Sequence, residues 1–183
     1  GLPDRDYYFK TDESTIEIQK AYQSYLSTLF ELTGNDNVEK NTAIAYDIEK
    51  QLAEAHKTRI ERRNVKANYN KLAVSDLDKN QPNIGWGNLL KNLGAEADSV
   101  DVRQSAYYDK LNDMLGSISL DDWKTYLKAN VMTNYADILS EPFETTSFEY
   151  TKVISGQAVQ KSRAQVMVQK VDRQLGFALG KLY

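Results

Sequence analysis

The sequence has 183 residues, of which 41% are hydrophobic and 27% are charged, and its net charge of −3 argues against a nucleic-acid partner. It contains no cysteine, which excludes disulfides, thiolate metal ligands and cysteine nucleophiles. No apolar run approaches the roughly 18–20 residues of a membrane-spanning helix, so we expect no membrane contact by this segment.

Two amphipathic helices are predicted in the first third of the chain. The first covers residues 14–32, ends before Gly34, and has an apolar face formed by Ile18, Tyr22, Tyr25, Leu29 and Leu32. The second is predicted as one long helix over residues 38–64, with apolar positions from Val38 to Ile60 and charges of alternating sign on its outer face. Both patterns indicate helices that bury one side.

Shorter elements are predicted in the middle of the chain. Ser75, with Asp78 three residues later, is typical of a helix start, and the stretch WGNLLKNLG predicts another short helix that ends at Gly94. A short strand is expected at residues 99–102. A helix follows from Ser105, and its predicted buried face consists of Tyr108, Leu111 and Leu115.

Three helices are predicted in the last third of the chain. The first has Ser119 as its N-cap and Asp121 and Asp122 in its first turn, and its apolar side consists of Trp123, Leu127, Val131 and Tyr135. The second has Pro142 in its first turn and ends at Gly156. The third has one apolar stripe, formed by Val168, Val171, Leu175, Leu179 and Leu182.

The predicted fold class is mainly α, with little or no sheet. We expect a multi-helix lobe of about seven or eight helices, some of them short, in a single domain over residues 1–183. The chain does not begin with methionine, and the apolar pattern of its last helix continues to its end. We therefore expect an internal piece of a longer protein.

The sequence offers no residue set for catalysis or metal binding. Its single histidine, His56, is predicted in the middle of the second helix, with Leu52 and Ile60 where a His-Glu-x-x-His zinc site needs a second imidazole. Asp121 and Asp122 are adjacent and point to different sides of a helix, so we interpret them as helix-start residues. Phosphate-binding loops and nucleophile elbows are absent. We predict no catalytic residue and no metal ligand here.

One cluster of cations remains as a candidate binding site. Arg59, Arg62 and Arg63 occur within the stretch RIERRN, and guanidinium groups suit a peptide carboxylate or another anion. These three residues are therefore candidates to face a substrate or an anion. The alternative is a solvated helix end, where cations complement the helix dipole.

The opening stretch DRDYYF is interpreted as structural. Asp4, Arg5 and Asp6 are expected to form a small ion-pair network that anchors an extended segment. Three aromatic residues are expected to pack beneath that segment: Tyr7, Tyr8 and Phe9.

Six stretches resemble one protein family in chain order: GLPDRDYY, ERRNVKANYNKLAVSDL, PNIGWGNLL, LDDWKTYLKANVMTNYADILSEPFETTSFEY, ISGQ and VDRQLGFALGKLY. They are similar to the N-terminal region of the neprilysin family of zinc metallopeptidases, which includes the endothelin-converting enzymes and oligopeptidase O. The signature residues, to which we assign structural roles, are Leu2, Pro3, Arg5, Asp6, Tyr7, Tyr8, Asn64, Tyr69, Asn70, Trp86, Gly176 and Gly180. The family usually has Arg-Trp-Lys/Arg before the last helix, whereas Ala164 and Gln165 follow Arg163 here, so a large apolar anchor is lost.

The resemblance implies a helical lid lobe that restricts the access of peptides to the active-site cavity of a zinc metalloendopeptidase. It places zinc in the parent enzyme, with no cofactor and no activity in this fragment. The implied partners are the missing catalytic lobe of the same chain and peptide substrates of the parent, with self-association of the fragment through an apolar face left bare. The implied location is extracytoplasmic: periplasmic, secreted or surface-anchored. The alternative is a free-standing helical module that binds a partner helix or peptide.

Overall fold

The computed structural model describes residues 1–181, and this range is mainly helical. It contains ten α-helices: α1 Glu13–Leu32, α2 Val38–Ala55, α3 Arg59–Arg62, α4 Val65–Asn68, α5 Val74–Asn80, α6 Trp86–Asn92, α7 Ser105–Ser117, α8 Leu120–Tyr135, α9 Glu141–Ser155 and α10 Arg163–Leu179. Two 3-10 helices cover Arg5–Tyr8 and Ala136–Ile138, and two short strands, β1 Lys71–Ala73 and β2 Ser99–Asp101, form the one sheet in this range. The mainly α prediction is confirmed.

The prediction of the second helix is wrong over its last third. α2 ends at Ala55, and two short helices, α3 and α4, follow it. His56 therefore lies just beyond a helix rather than in the middle of one, and Ile60 is 80% exposed instead of buried. The helix is interrupted because Thr58 starts α3 with a capping box, in which it exchanges hydrogen bonds with Glu61.

Contacts group the described residues into two compact units. The first contains residue 1, Thr11–Ile44 and the described part of Thr125–Tyr183. Helix α1 supplies much of its core through Tyr22, Tyr25, Leu26, Leu29 and Phe30. α1 packs against α9, where Tyr25 stacks on Tyr150 with ring centroids 4.9 Å apart. Both α9 and α10 contact the second 3-10 helix.

The second unit contains Leu2–Lys10 and Ala45–Lys124. Its antiparallel sheet pairs Leu72 of β1 with Val100 of β2. Beside the sheet, Leu77, Trp86 and Val102 are buried in one cluster, which Leu72 and Val100 complete. The indole N–H of Trp86 is satisfied because it donates to the Gln81 side chain at 2.8 Å.

Two predictions in this unit are wrong in detail. Helix α5 begins after Ala73, which makes no side-chain cap, so Ser75 lies inside the helix rather than at its cap. Helix α7 begins at Ser105 as predicted, but it buries Asn112 and Met114, while Leu115 is 40% exposed. The predicted strand is confirmed over Ser99–Asp101, and its partner β1 was not predicted.

The last three helices follow the prediction, although their apolar stripes are exposed. Helix α8 begins after Ser119, whose hydroxyl accepts from the backbone N–H of Asp122, and α9 ends at Gly156 with a left-handed φ of 68°. The exposed side chains include Leu127, Val131 and Tyr135 on α8 and Val168, Val171 and Leu175 on α10. Leu182 lies outside the described residues. Within residues 1–181, no helix combines the length and the apolar character needed to cross a membrane.

Candidate functional site

The strongest concentration of positive charge lies in residues 57–71, defined here as the basic segment. It carries six lysine and arginine side chains and one carboxylate, Glu61, in a chain whose net charge is −3. It includes all three candidate arginines from the sequence. The local geometry decides which of its charges are available to a ligand.

The carboxylate of Glu61 is occupied inside the segment. It accepts from the backbone N–H and the hydroxyl of Thr58, both at 2.7 Å, and the Glu61 N–H donates back to that hydroxyl at 3.3 Å. These hydrogen bonds hold the pKa of Glu61 below its ordinary value, and the positive charges of Arg5 and Lys57 lower it further. Glu61 therefore remains ionised but is engaged in holding α3.

Three polar side chains hold the rest of the segment. Asn68 is only 6% exposed, and its amide donates to the carbonyl of Glu61 at 2.8 Å. The Lys57 ammonium donates to the Asn68 side chain at 2.7 Å and to the carbonyl of Arg103 at 3.1 Å. The Asn64 side chain caps α4 by accepting from Ala67 N–H at 3.0 Å. Lys57 is therefore a structural brace rather than a free cation.

The candidate arginines differ in their surroundings. Arg59 pairs with Asp4, with 3.1 Å between its Nε and the Asp4 Oδ2, although its side chain remains 77% exposed. Arg62 and Arg63 are exposed, and so is Lys66. In the part of the chain that the structure describes, the side chains of these last three residues take part in no ion pair.

Three apolar side chains on the same segment face solvent. Ile60, Val65 and Tyr69 are 80%, 74% and 61% exposed. Sequence reasoning assigned Ile60 to a buried face and gave Lys66 and Val65 no role. The spacing Thr58-x-x-Glu61 is the sequence signal that separates α3 from α2 and so corrects the position of Ile60.

The opening signature residues anchor the start of the chain to α2. Tyr8 is buried, accepts from the backbone N–H of Leu2 at 3.0 Å and donates to the Glu49 carboxylate at 3.0 Å. The Arg5 guanidinium contacts Asp6 at 3.2 Å and the Ala53 carbonyl at 3.4 Å. Of the predicted ion-pair network, the Arg5–Asp6 pair is present, whereas Asp4 pairs with Arg59 instead of Arg5. Residues 5–8 form a 3-10 helix rather than an extended segment.

Two of the three aromatic residues in the opening stretch are less buried than predicted. Phe9 is 39% exposed, and the charged ends of Arg5 and Lys50 lie 5.5 and 5.9 Å from the centre of its ring. Tyr7 is half-buried, and Pro3 is exposed. Only Tyr8 of the three aromatic residues packs into the core.

The remaining signature residues lie in both units. Asn70 joins the basic segment to the sheet, because its backbone N–H donates to Asp101 at 2.9 Å and its side chain donates to the Val102 carbonyl at 3.3 Å. The hydrogen bond from Asn70, followed by that from Arg103, lowers the pKa of Asp101. Gly176 follows a local departure from helical geometry at Leu175. The N–H of Gly180 donates to the carbonyl of Gly176 at 2.8 Å.

An arginine holds the corner where the large apolar anchor of the family is missing. The Arg163 guanidinium donates to the carbonyls of Leu139 and Ile138 at 2.8 and 3.1 Å, and it contacts the Glu144 carboxylate at 3.0 Å. Both ends of its planar fork are used, so Arg163 fixes the start of α10 to the second 3-10 helix and α9.

The side chains considered for catalysis or metal binding have structural contacts. The His56 Nδ1 lies 3.2 Å from the Gln104 amide oxygen, and its ring stacks on Tyr107 with centroids 4.4 Å apart. Asp122 accepts from the Ser119 hydroxyl, and Asp121 pairs with Lys124. Across the described range, no three His, Asp or Glu side chains come together in a group that could hold a metal ion.

The family profile described as Peptidase family M13 matches residues 1–183. The chain belongs to peptidase family M13. The resemblance to neprilysin and the endothelin-converting enzymes is thereby confirmed, and the chain corresponds to the N-terminal region of the M13 zinc metallopeptidases.

M13 relatives match the chain over its full length. Endothelin-converting enzyme-like 1 of Mus musculus is 28% identical over 188 aligned residues, which cover 100% of this chain and 24% of that protein. Membrane metallo-endopeptidase-like 1 of Mus musculus is 25% identical, with 100% and 26% covered. The chain thus spans about a quarter of the length of these relatives.

Solved M13 structures share the fold. The crystal structure of Mycobacterium tuberculosis zinc metalloprotease Zmp1 in complex with an inhibitor matches with a TM-score of 0.90 and 25% identity, and its open state matches with 0.89 at the same identity. In both cases the match covers 100% of this chain and 29% of the other.

Proposed function

We propose that the chain is the non-catalytic lid lobe of a zinc metalloendopeptidase, in which it restricts the access of substrates to the active-site cavity. The observation that carries the proposal is the M13 match over the whole chain, combined with its coverage of only about a quarter of its relatives. On this view the chain's partners are the catalytic lobe of the same polypeptide and the peptide substrates of the parent enzyme.

Zinc is assigned to the remainder of the parent protein. The ligand set of a catalytic zinc site has three protein side chains, which are mostly histidines and carboxylates. The described residues do not fit such a site, since His56 is held by Gln104 and Tyr107 and no suitable group of three is present between residues 1 and 181. No step of the reaction is therefore assigned to residues of this chain.

The proposed contribution to proteolysis is steric. A lobe over a cavity admits flexible peptides, excludes folded proteins and limits the entry of water during the reaction. The braced corner at Arg163 and the tyrosine-rich packing of α1 on α9 support this role, because a lid must keep its shape to exclude anything. We place the parent outside the cytoplasm, as the relationship to neprilysin and the endothelin-converting enzymes suggests.

The first experiment compares this chain with its full-length parent. Each is incubated with a fluorogenic peptide, with and without a chelator. We expect chelator-sensitive cleavage by the parent and none by the 183-residue chain. Such cleavage by the purified chain would contradict its non-catalytic role.

The second experiment tests access. The parent is given the same cleavable sequence as a free peptide and as a loop inserted in a stable folded protein. We expect cleavage of the peptide and at least about a hundredfold slower cleavage of the loop, because the lobe excludes folded substrates. Equal rates of cleavage for the peptide and the loop would contradict the proposed lid function. An open reading frame that ends with this chain would instead favour the free-standing interaction module.

A further inference from the structure

We propose that the exposed side chains of residues 60–69 form a docking surface for an acidic polypeptide, named here the basic apolar face. The name covers six exposed side chains: Ile60, Arg62, Arg63, Val65, Lys66 and Tyr69. The occupant is a segment of a second polypeptide in which carboxylates flank an apolar side chain. The inference does not depend on the peptidase role proposed above.

The segment exposes its apolar side chains, whereas the one buried residue in the range 60–69 is the polar Asn68. Asn68 is 6% exposed, whereas Ile60 and Val65 are 80% and 74% exposed. Apolar side chains gain free energy when they leave water, and short surface helices normally use them to attach to the core. Here the Lys57 ammonium donates to the Arg103 carbonyl at 3.1 Å and Arg59 pairs with Asp4 at 3.1 Å, so polar contacts attach the segment and the apolar side chains remain exposed.

The face is held in place before any partner binds. Both short helices have side-chain caps, from Thr58 on α3 and from Asn64 on α4. The Asn68 amide then ties the end of α4 back to the Glu61 carbonyl. A surface that is already ordered loses little conformational entropy on binding, which favours recognition by a small contact area.

The face also carries positive charge that is available to a ligand. Arg62, Arg63 and Lys66 are exposed without an ion pair in the described range, while the nearby carboxylate of Glu61 is engaged by Thr58. Outside residues 60–69 the chain has twenty basic and twenty-five acidic side chains, so this face is locally positive in a chain that is otherwise acidic. Guanidinium forks bind carboxylates in a defined geometry. Charge complementarity therefore selects an acidic occupant, and the exposed apolar side chains select one with an apolar residue among its carboxylates.

The binding experiment uses the 183-residue chain and a fluorescein-labelled synthetic peptide, in which glutamate alternates with an apolar residue, either leucine or phenylalanine. Binding is followed by fluorescence anisotropy at low and moderate salt. A matched peptide carries glutamine in place of every glutamate. We expect saturable binding of the acidic peptide that weakens as salt is raised, and at least about tenfold weaker binding of the glutamine peptide.

Variants of the chain locate the binding site. Arg62→Gln, Arg63→Gln and Lys66→Gln are combined in one protein, which should bind the acidic peptide about tenfold more weakly. The matched control combines Lys20→Gln, Lys40→Gln and Lys128→Gln, which change the net charge equally at exposed positions elsewhere. It should change the affinity less than about twofold. Circular dichroism establishes that each variant is folded.

The apolar half of the proposal has its own variant. Ile60→Ser combined with Val65→Ser should weaken binding about fivefold and leave the salt dependence unchanged, because no charge is altered. Equal effects of the two charge variants, or no saturable binding of the acidic peptide, would overturn the proposal. If the basic-face variant instead abolishes an association between copies of the chain in sedimentation, the occupant is a second copy and the inference is likewise wrong.

Discussion

Thr58 shows how one side chain sets the position of the basic segment. Its hydroxyl and backbone N–H donate to Glu61 at 2.7 Å, and its hydroxyl accepts from the Glu61 N–H. This box starts a new helix three residues after α2 ends. Apart from this box, the apolar and charged pattern predicts one continuous helix over residues 38–64.

Replacing Thr58 with alanine tests this assignment. The Thr58→Ala change removes the side-chain acceptor at the N-cap, and we expect the free energy of unfolding to fall by about 1 kcal/mol in a urea titration. The control is Thr151→Ala on the exposed side of α9, where the hydroxyl donates only to the Ser147 carbonyl one turn earlier. Its cost should stay below about 0.5 kcal/mol. Equal losses would show that Thr58 does not act as a cap.

Asp12 gives the chain a definite pH response. It caps α1, and hydrogen bonds from the Ser14 hydroxyl, then from the Thr15 hydroxyl and backbone N–H, lower its pKa from 3.8 to about 2. The unfolded chain therefore binds this proton more readily than the folded one. The stabilisation is complete above pH 3.8 and is lost as the pH falls towards about 2.

Asp12→Asn separates the charge from the cap. Asparagine keeps a side-chain acceptor for the Thr15 N–H but cannot titrate. The variant should therefore lose less stability than the unsubstituted chain as the pH falls from 3.8 to about 2. Urea titrations at several pH values measure the difference. Parallel pH profiles for the two proteins would show that the Asp12 pKa is not lowered on folding.

At the scale of elements, local sequence signals located most helices. They failed where contacts between residues far apart in the sequence determine the secondary structure. The Ser119 cap of α8, the Pro142 start and Gly156 end of α9, and the Gly94 stop after α6 were all predictable from short stretches of sequence. Strand β1 was missed because three residues form a strand only when paired with β2, some thirty positions further on.

The basic segment shows the same limit within the candidate site. The three arginines and the Thr58-x-x-Glu61 spacing are visible in the sequence. The hydrogen bond from Lys57 to Asn68 joins residues eleven positions apart in the sequence. The hydrogen bond from Lys57 to the Arg103 carbonyl joins residues forty-six positions apart. No periodicity marks Asn68 as buried or Val65 as exposed. The outward position of the apolar residues therefore needed the structure.

The start of α10 offers a prediction for one element junction. Arg163→Ala removes the donors to two backbone carbonyls and the partner of Glu144, a carboxylate that is only 12% exposed. We expect a loss of about 1–2 kcal/mol in the free energy of unfolding, since the arginine itself is half exposed and solvent screens part of the effect. Urea titration of the purified variant measures this loss.

Two further variants separate geometry from charge at this junction. Arg163→Lys keeps the charge but lacks the planar fork, so it should recover less than half of the stability lost in the alanine variant. Arg173→Ala removes an exposed arginine of the same helix and should change stability by less than about 0.5 kcal/mol. Full recovery by lysine would mean that charge alone, rather than the two carbonyl contacts, holds the corner.

For the whole molecule, the exposed apolar stripes of α8 and α10 predict self-association. Leu127 and Val131 lie one turn apart on α8, and Val168 and Val171 lie one turn apart on α10; all four side chains are exposed. Contiguous apolar surface of this kind is unusual on monomers and is commonly buried in an interface. Sedimentation velocity over a range of concentrations should therefore show the 183-residue chain in equilibrium with dimers or larger species.

Substitution within one stripe makes that prediction specific. Leu127→Gln combined with Val131→Gln removes most of the apolar area of the α8 stripe while keeping good helix formers, so the association constant should fall at least about tenfold with little change in stability. The control Lys128→Gln alters an exposed residue of the same helix without reducing apolar area and should leave association unchanged. A chain that stays monomeric at every concentration would mean that neither stripe drives association between copies. Association that persists in the α8 variant would assign the contact to α10, where Val168→Gln with Val171→Gln is the matching test.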